Sequence, residues 1–224
     1  MTMKSETAAD ALIIAAGSEH CRDASRLRIA ETGLIICADA GIVACRELGL
    51  RPDFLIGDLD SAPAELVEWA RDVGARILRH PVAKDETDLE LALAKAIELG
   101  ACRLVVTGAT GGRVDHTLAN MDVLMGVARR AELLVAVEGW GEMIFLAGAH
   151  RKAAIHGAVS DVVSLIPRCG EARGVTTAGL HYPLRHEDLC YGTSRGVSNR
   201  MTEPVAHVTM VDGEMLVIHV RASE

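Results

Sequence analysis

Aspartates follow the ends of several predicted strands in this sequence, and residues of that type could bind a divalent cation. Asp39 comes directly after an apolar run, Asp58 and Asp60 follow the next one, and Asp85 and Asp88 precede a helical pattern. Ligands of open α/β sheets bind outside the carboxyl ends of the strands. Several carboxylates gathered there would repel one another without a cation. Oxygen ligands of this kind suit Mg²⁺, which binds one or two carboxylates together with substrate phosphates.

A glycine-rich segment at residues 108–116 (Gly-Ala-Thr-Gly-Gly-Arg-Val-Asp-His) could hold phosphate. Its glycines would let backbone N–H groups approach an anion, and Arg113 could pair with phosphate oxygens in a bidentate manner. Asp115 adds a further carboxylate. His116 could cap a helix or contact a base, although a structural hydrogen bond is the more common role. No Gly-Lys-Ser/Thr follows, so the segment is not a P-loop. Together with the aspartates, it predicts a site for Mg²⁺ and a nucleoside triphosphate.

Each of these pieces also has a plain structural interpretation. The Asp58 and Asp60 pair is typical of a turn with side-chain to backbone hydrogen bonds. Asp85 and Asp88 stand at the start of a predicted helix, where acidic residues are favourable in any protein. The occurrence of all the pieces in one chain favours the chemical interpretation.

Short apolar runs alternate with helical patterns over the first two-thirds of the chain, which predicts a parallel sheet covered by helices on both faces. The helix at residues 87–99 is the clearest, because Thr87 and Glu90 have the spacing of a capping box and Gly100 follows. Right-handed crossovers place the loops after the strands on one edge of the sheet. Strands are predicted at residues 11–16, 34–38, 53–56, 75–79, 103–107 and 133–137, and helices at 42–48, 63–73, 87–99 and 116–130.

The pattern changes to short strand-like segments after about residue 140, which predicts an antiparallel β domain. The predicted domains are residues 1–140 and 141–224. Asp212 and Gly213 form a dipeptide that predicts a β-hairpin. A domain of about 75 residues is marginally stable alone, so we expect it to pack on the first domain or on a second subunit. Its strands are predicted at residues 142–147, 152–156, 162–166, 174–178, 205–210 and 214–220.

Composition narrows the class of partners. The chain has 224 residues, of which 50% are hydrophobic, and a formal net charge of −8. Such a charge disfavours binding to nucleic acids and anionic membranes. None of the six cysteines forms a Cys-x-x-Cys pair, which is typical of reduced cysteines in a cytosolic protein. No apolar run approaches the roughly 20 residues of a membrane helix. We therefore expect a cytoplasmic protein without a nucleic-acid or membrane partner.

Four segments, in this order, resemble those of thiamine pyrophosphokinase. They are residues 38–41 (Ala-Asp-Ala-Gly), 52–61 (Pro-Asp-Phe-Leu-Ile-Gly-Asp-Leu-Asp-Ser), 84–90 (Lys-Asp-Glu-Thr-Asp-Leu-Glu) and 111–120 (Gly-Gly-Arg-Val-Asp-His-Thr-Leu-Ala-Asn). Residues 179–184 and 192–199 are similar to segments of that family's substrate domain. The resemblance covers nearly the whole chain, and residues 57–61 and 112–116 are its most specific parts.

The resemblance implies a Mg²⁺-dependent enzyme that transfers a pyrophosphoryl group from ATP to the hydroxyl of thiamine and releases AMP. It implies a homodimer with an α/β nucleotide domain, a smaller C-terminal β-sandwich, and a thiamine site at the dimer interface. The matching motifs assign Asp58, Asp60 and Asp88 to the metal and, with Asp85, to catalysis. They assign Ser198 and Asn199 to thiamine. The residues assigned to ATP are Asp39, Ser61, Arg113, Asp115, His116 and Asn120.

Two departures from the family pattern leave alternatives open. Residues 40–43 read Ala-Gly-Ile-Val where the family usually has Gly-Gly-Ala-Asn, and Arg200 replaces a common acidic residue. One alternative is a pyrophosphokinase with another hydroxymethyl acceptor, such as a pterin. Another is a nucleotide-binding protein without catalytic activity. For an enzyme, Asp60 and Asp85 are both candidates to accept the hydroxyl proton.

Overall fold

The computed structural model describes residues 9–222 and divides the chain into two compact units. The first unit runs to Val123 and also contains Arg130–Gly139. The second unit consists of Leu124–Arg129 and the chain from Trp140 onward. The predicted domains, 1–140 and 141–224, include residues 1–8 and 223–224, which lie outside the described part of the chain.

The first unit contains a parallel β-sheet, as predicted. Its strands are β1 Ala9–Ile14, β2 Ile29–Ala38, β3 Phe54–Gly57, β4 Arg76–Arg79, β5 Arg103–Thr107 and β6 Leu133–Glu138. They pair in the order β6-β5-β1-β2-β3-β4, and each strand runs parallel to its neighbour. The strand order reverses at β1, where the crevice of an open α/β sheet forms.

Between residues 9 and 222, four α-helices follow strands along the chain. They are α1 Gly41–Glu47, α2 Ala64–Asp72, α3 Asp88–Glu98 and α4 Val114–Ala128. The predicted cap of α3 is confirmed, since the hydroxyl of Thr87 accepts the N–H of Glu90 at 3.2 Å. Helix α4 begins at Val114, before the predicted residue 116. Among the helices described between residues 9 and 222, none has both the length and the apolar composition needed to cross a lipid bilayer.

The core of the first unit explains why its strands are continuous apolar runs. Leu12 and Ile14 of β1 pack in one buried cluster with Cys37 of β2, Ile42 of α1 and Leu55 of β3. All five are fully or almost fully excluded from solvent. The central strand positions of a sheet covered on both faces favour apolar side chains, so most polar groups of this unit lie at or beyond the strand ends.

The second unit, as far as residue 222, contains eight strands in antiparallel pairs, in agreement with the predicted β domain. The strands are β7 Gly141–Ala147, β8 Arg151–His156, β9 Val162–Pro167, β10 Glu171–Ala178, β11 Arg185–Cys190, β12 Asn199–Arg200, β13 Val205–Met210 and β14 Glu214–Val220. Within this unit they belong to two sheets, with the pairing order β12-β9-β14-β7 in one and β11-β10-β13-β8 in the other.

The predicted hairpin at Asp212 and Gly213 is wrong. The strands before and after it belong to different sheets, since β13 pairs with β8 and β10 whereas β14 pairs with β7 and β9. Gly213 has a φ of 115°, and a Cβ there would lie 2.3 Å from the carbonyl oxygen of Glu171. Gly213 is therefore required because the chain passes close to the main chain of Glu171 as it crosses from one sheet to the other, and not because it forms a two-residue hairpin.

Candidate active site

A cleft of about 430 Å³ lies at the carboxyl ends of β1, β2 and β5. It is bordered by the loops after these strands and by the first turns of α3 and α4. This is the edge of the sheet at which the sequence predicts a ligand. Its lining includes Ser18, Asp39, Ser61, Lys84, Asp88, Arg113, His116 and Asn120.

Three aspartates from separate elements converge at this edge. Asp39, Asp58 and Asp88 each offer a carboxylate oxygen, and these oxygens lie within 4.8 Å of one another. Gly57 makes the convergence possible, because a Cβ there would lie 3.1 Å from Cγ of Asp88 and 3.2 Å from Cβ of Asp39. We call Asp39, Asp58 and Asp88 the aspartate cluster.

Lys84 supplies a positive charge beside the aspartate cluster. Its Nζ lies 3.1 Å from Oδ2 of Asp58 and 3.1 Å from Oδ1 of Asp88. Desolvation acts to lower the pKa of Lys84, but the hydrogen bonds to Asp88 and Asp58 raise it overall. Reasoning from the sequence missed this residue. Its position one helical turn before Asp88 was the available signal.

The negative charge of the aspartate cluster is only partly balanced by Lys84. Burial raises the pKa of Asp39, the N–H of Ala40 opposes this, and the charges of Asp88 and Asp58 add to the rise. The pKa of Asp58 is lowered by the backbone N–H of Asp60 and by Lys84. Asp39 is 8% exposed, and its Oδ1 is buried without a hydrogen-bond partner. A hard divalent cation fits this set of carboxylate oxygens, because it would neutralise their mutual repulsion and bind the unpaired oxygen.

Two further predicted residues, Asp60 and Asp85, lie outside the aspartate cluster. The N–H of Asp60 donates to Oδ1 of Asp58 at 3.1 Å, which closes the turn that the sequence offers as an alternative. The hydroxyl of Ser61 donates to Oδ1 of Asp60 at 2.9 Å. Asp60 and Asp85 are both exposed. The structure thus groups Asp39 with Asp58 and Asp88, where the sequence assigns Asp60 to the metal.

The loop at residues 108–113, here called the glycine loop, packs tightly on the end of β1. The N–H of Gly17 donates to the carbonyl oxygen of Gly108 at 2.8 Å. A Cβ at Gly108 would lie 2.3 Å from the carbonyl oxygen of Ala15, and one at Gly17 would lie 2.4 Å from the carbonyl oxygen of Gly108. These two glycines therefore allow two stretches of main chain to touch.

The first N–H groups of the glycine loop are bound inside the protein. The N–H of Gly108 donates to Oε2 of Glu138 at 3.0 Å, and the N–H of Ala109 donates to Oε1 at 2.8 Å. The sequence predicts that backbone N–H groups of this loop approach a phosphate, but these two are directed at Glu138 instead. Gly111, Gly112 and Arg113 line the cleft.

The remaining predicted nucleotide residues lie on or beside α4. Nε of Arg113 donates to Oδ1 of Asp115 at 3.1 Å, and both side chains are exposed. The hydrogen bond to Arg113 lowers the pKa of Asp115 to about 2. Asp115 thus pairs with Arg113 and does not join the aspartate cluster. Nδ2 of Asn120 donates to the carbonyl oxygen of Ala109 at 2.9 Å, and His116 lines the cleft.

Ser198 and Asn199 belong to the second unit. Ser198 is exposed with a φ of 60°, and its N–H donates to Oγ of Ser164 at 3.0 Å. Asn199 is only 6% exposed. Its Oδ1 accepts the N–H of Tyr182 at 3.0 Å, and its Nδ2 donates to the carbonyl oxygen of Tyr182 at 2.8 Å. Asn199 therefore fixes the backbone at Tyr182, whose side chain is 68% exposed. Contact with thiamine stays a prediction for both residues.

The fold and the cleft define an α/β protein with a carboxylate-lined cleft at a strand-order switch, and the same chain carries an antiparallel β unit. Comparison with known families makes this more specific. The family description "Thiamin pyrophosphokinase, catalytic domain" matches residues 26–135, and "Thiamin pyrophosphokinase, vitamin B1 binding domain" matches residues 154–213. Together these matches cover more than half of the chain, which belongs to the thiamin pyrophosphokinase family.

Individual relatives agree with this assignment. The chain is 26% identical over 189 residues to thiamine pyrophosphokinase of Bacillus subtilis (strain 168). This match covers 84% of this chain and 87% of that protein. It is 28% identical over 168 residues to thiamine pyrophosphokinase 1 of Oryza sativa subsp. japonica. That match covers 71% of this chain and 62% of the rice protein, which is less than two thirds of its length.

Solved structures show the same fold. The crystal structure of thiamine pyrophosphokinase from Bacillus subtilis superposes with a TM-score of 0.82 at 23% identity, and covers 95% of this chain and 99% of that one. The structure of thiamin pyrophosphokinase from Geobacillus thermodenitrificans gives a TM-score of 0.79 at 25% identity, with 96% and 98% covered.

Proposed function

We propose that this protein transfers a pyrophosphoryl group from ATP to the hydroxyl of thiamine, giving thiamine diphosphate and AMP. The observation that carries the proposal is the convergence of Asp39, Asp58 and Asp88 at the sheet edge where the cleft lies, with Asp39 and Asp88 in its lining, in a chain of the thiamin pyrophosphokinase family. A non-catalytic binding protein has little need for a set of carboxylates that repel one another.

The aspartate cluster is the proposed Mg²⁺ site. Bound there, Mg²⁺ would supply positive charge to offset the charge of the transferred phosphates. The unpaired Oδ1 of Asp39 and the raised pKa of that residue support this assignment. Lys84 holds Asp58 and Asp88 in place and keeps part of their charge balanced before a ligand enters.

The chain's own residues contribute mainly by positioning. The acceptor hydroxyl oxygen forms a bond to the β-phosphorus while the bond from that phosphorus to the bridging oxygen of AMP breaks. The AMP phosphate leaves with the electron pair, and the hydroxyl proton passes to a carboxylate. Asp60 and Asp85 are the candidates to accept this proton, because both are exposed and they stand two residues after Asp58 and three residues before Asp88. Holding the reacting atoms in line supplies much of the rate.

The second unit is the proposed thiamine-binding part, with Ser198 exposed on a left-handed turn and Asn199 fixing the position of Tyr182. We further propose a cytoplasmic homodimer with thiamine bound between subunits, as the family resemblance implies. Light scattering of the purified protein at several concentrations would test the dimer. A monomer at all of them would contradict it.

The activity is tested by incubating purified protein with ATP, Mg²⁺ and thiamine and measuring AMP and thiamine diphosphate, which should form in equal amounts. Asp58→Asn should lower turnover about 10²–10³-fold, because one charged ligand of the cluster is lost. Asp72→Asn, at an exposed position on α2, is the matched control and should retain turnover.

Three outcomes would redirect the proposal. AMP release with a pterin alcohol and none with thiamine would identify another acceptor. Nucleotide binding without AMP release for any acceptor would indicate a non-catalytic protein. Turnover of Asp58→Asn at the level of Asp72→Asn would remove the aspartate cluster from the mechanism.

A further inference from the structure

Glu138 is a fully buried carboxylate that the activity described above does not use. It is the last residue of β6, has 0% exposure, and binds the N–H groups of Gly108 and Ala109 with its two oxygens. Both contacts are made to the first half of the glycine loop. The carboxylate of Glu138 therefore occupies the position to which the N–H groups of Gly108 and Ala109 point.

Other contacts tie the same half of the loop from different sides. Nδ2 of Asn120 donates to the carbonyl oxygen of Ala109 at 2.9 Å. The N–H of Gly17 donates to the carbonyl oxygen of Gly108 at 2.8 Å, and the N–H of Glu19 donates to that of Thr110 at 3.3 Å. The N–H groups of Gly108 and Ala109 and the carbonyl oxygens of residues 108–110 are thus engaged by the rest of the first unit. The cleft is lined by Gly108 and Ala109 and, in the second half of the loop, by Gly111, Gly112 and Arg113.

Keeping a carboxylate at this position is energetically costly. Burial raises the pKa of Glu138 to about 7, although the N–H groups of Gly108, Ala109 and Thr110 act in the opposite direction. The charge of Glu19 adds to the rise. Filling the space with an apolar side chain would avoid this cost but would leave two buried donors without acceptors. Glutamine accepts with one oxygen only and presents an NH₂ group to the second donor.

We propose that Glu138 is a positioning residue that holds the glycine loop in the conformation that presents Gly111, Gly112 and Arg113 to the nucleotide phosphates. This inference rests on the proposed function, because it takes the cleft to be the ATP site. Glu138 itself is not a catalytic residue, since its side chain is buried under the loop and does not line the cleft.

Binding of Mg²⁺ with a non-hydrolysable ATP analogue, measured by calorimetry, is the primary test. Glu138→Gln should weaken binding about tenfold, because one loop donor loses its acceptor. Glu138→Asp keeps both acceptor oxygens on a shorter side chain and should recover part of the loss. Glu132→Gln makes the same charge change at an exposed position before β6 and is the matched control. In the thiamine assay, Glu138→Gln should raise KM for ATP by more than it lowers kcat.

A dependence on pH separates loop positioning from a general loss of stability. The charged or titratable groups around Glu138 are Glu19, His20, whose backbone bridges to it, and Arg26, whose guanidinium donates to its carbonyl oxygen. Affinity of the unaltered protein for the analogue should fall as the pH drops through about 7, because the protonated carboxyl loses one acceptor. Glu138→Gln should lack that component when both proteins are titrated in the same buffers.

The outcomes distinguish this inference from the proposed function. Native-like binding by Glu138→Gln overturns the inference. If Glu138→Gln does not fold, the test uses Glu138→Asp and the pH dependence of the unaltered protein. Native-like binding by Glu138→Asp together with a pH-independent affinity of the unaltered protein overturns the inference. Weakened binding by Glu138→Asp together with the expected pH dependence supports the inference. Analogue binding that follows these expectations without any thiamine diphosphate formation overturns only the proposed reaction. Absence of analogue binding by the unaltered protein overturns both.

Discussion

Glu138 in the first unit and Asp161 in the second are both buried carboxylates, and each accepts two backbone N–H groups. Those groups belong to Gly108 and Ala109 for Glu138 and to Ala158 and Ala222 for Asp161. Burial acts to raise the pKa of each carboxyl. The pKa of Glu138 rises to about 7, whereas that of Asp161 is lowered by its two N–H donors and by a histidine.

The balance of burial against its partners differs between the two carboxyls. At Glu138 burial outweighs the backbone donors, and the charge of Glu19 adds to the rise of the pKa. At Asp161 the N–H groups of Ala222 and Ala158, together with His219, whose Nε2 lies 2.8 Å from Oδ2, outweigh burial and lower the pKa. Asp39 resembles Glu138 in this respect, because burial raises its pKa and one of its oxygens has no hydrogen-bond partner. In the proposed function, Mg²⁺ supplies its counter-charge.

The largest expected effect comes from removing the carboxylate that has a counter-charge. Asp161→Ala should lower the free energy of unfolding by about 3–5 kcal/mol, because His219 and two N–H groups lose a buried partner. Denaturant titration measures this, with Glu203→Gln at an exposed position as the control. A loss below about 1 kcal/mol would mean that His219 and the backbone donors find other partners.

A smaller effect should appear when Asp39 receives a counter-charge from Mg²⁺. Binding at a concentration of 100 times Kd stabilises a folded protein by about 2.7 kcal/mol, which should be visible as a rise in Tm. Asp39→Asn should diminish this rise and should stabilise the metal-free protein by relieving repulsion. Asp60→Asn is the matched comparison, because Asp60 lies outside the aspartate cluster. Loss of the response in Asp60→Asn and its retention in Asp39→Asn would reverse the assignment.

The most gradual effect concerns pH, because it is spread over several pH units. Desolvation acts to lower the pKa of His219, but Glu142 and Asp161 raise it overall. Its contribution to stability is therefore complete below about pH 6.5, the usual histidine value, and is lost as the pH rises through the raised pKa of the folded state.

Glu138 changes stability in the same direction. Its pKa of about 7 in the folded protein exceeds that of an unfolded glutamate, so folding takes up a proton and stability falls as the pH rises toward 7. Thermal unfolding of the unaltered protein, His219→Gln and Glu138→Gln as a function of pH separates the two contributions. Each substitution should flatten its own part of the curve, by about 1.4 kcal/mol for each unit of pKa difference. A curve unchanged by His219→Gln would contradict the ion pair with Asp161.

Much of the first unit could be predicted because its signals are local. Buried parallel strands are continuous apolar runs, and the cap of α3 needs only Thr87 and the N–H of Glu90. Parallel topology also places the loops on one edge of the sheet. The sequence could not decide which carboxylates point at the same spot. Asp115 accepts a hydrogen bond from Arg113, and Asp60 accepts one from the hydroxyl of Ser61. Those pairings depend on side-chain directions in three dimensions.

The features that escaped prediction depend on partners distant in the chain. Strand β11 has the polar sequence Arg-His-Glu-Asp-Leu-Cys with mostly exposed side chains, and it forms because it pairs with β10 at one edge of its sheet. Asp212 and Gly213 predict a turn correctly, but local sequence does not say which sheet the next strand joins. Glu138 is a single acid at the end of a strand, and its role is visible only from the donors of Gly108 and Ala109.

The contact between Gly17 and Gly108 makes part of the cleft lining out of main-chain atoms. A side chain added at either glycine would wedge the two segments apart before it could act as a new recognition group. Changes in ligand preference during evolution should therefore arise elsewhere in the lining, from residues such as Lys84, Arg113 and His116. The two glycines would remain a common platform on which different substrates are aligned.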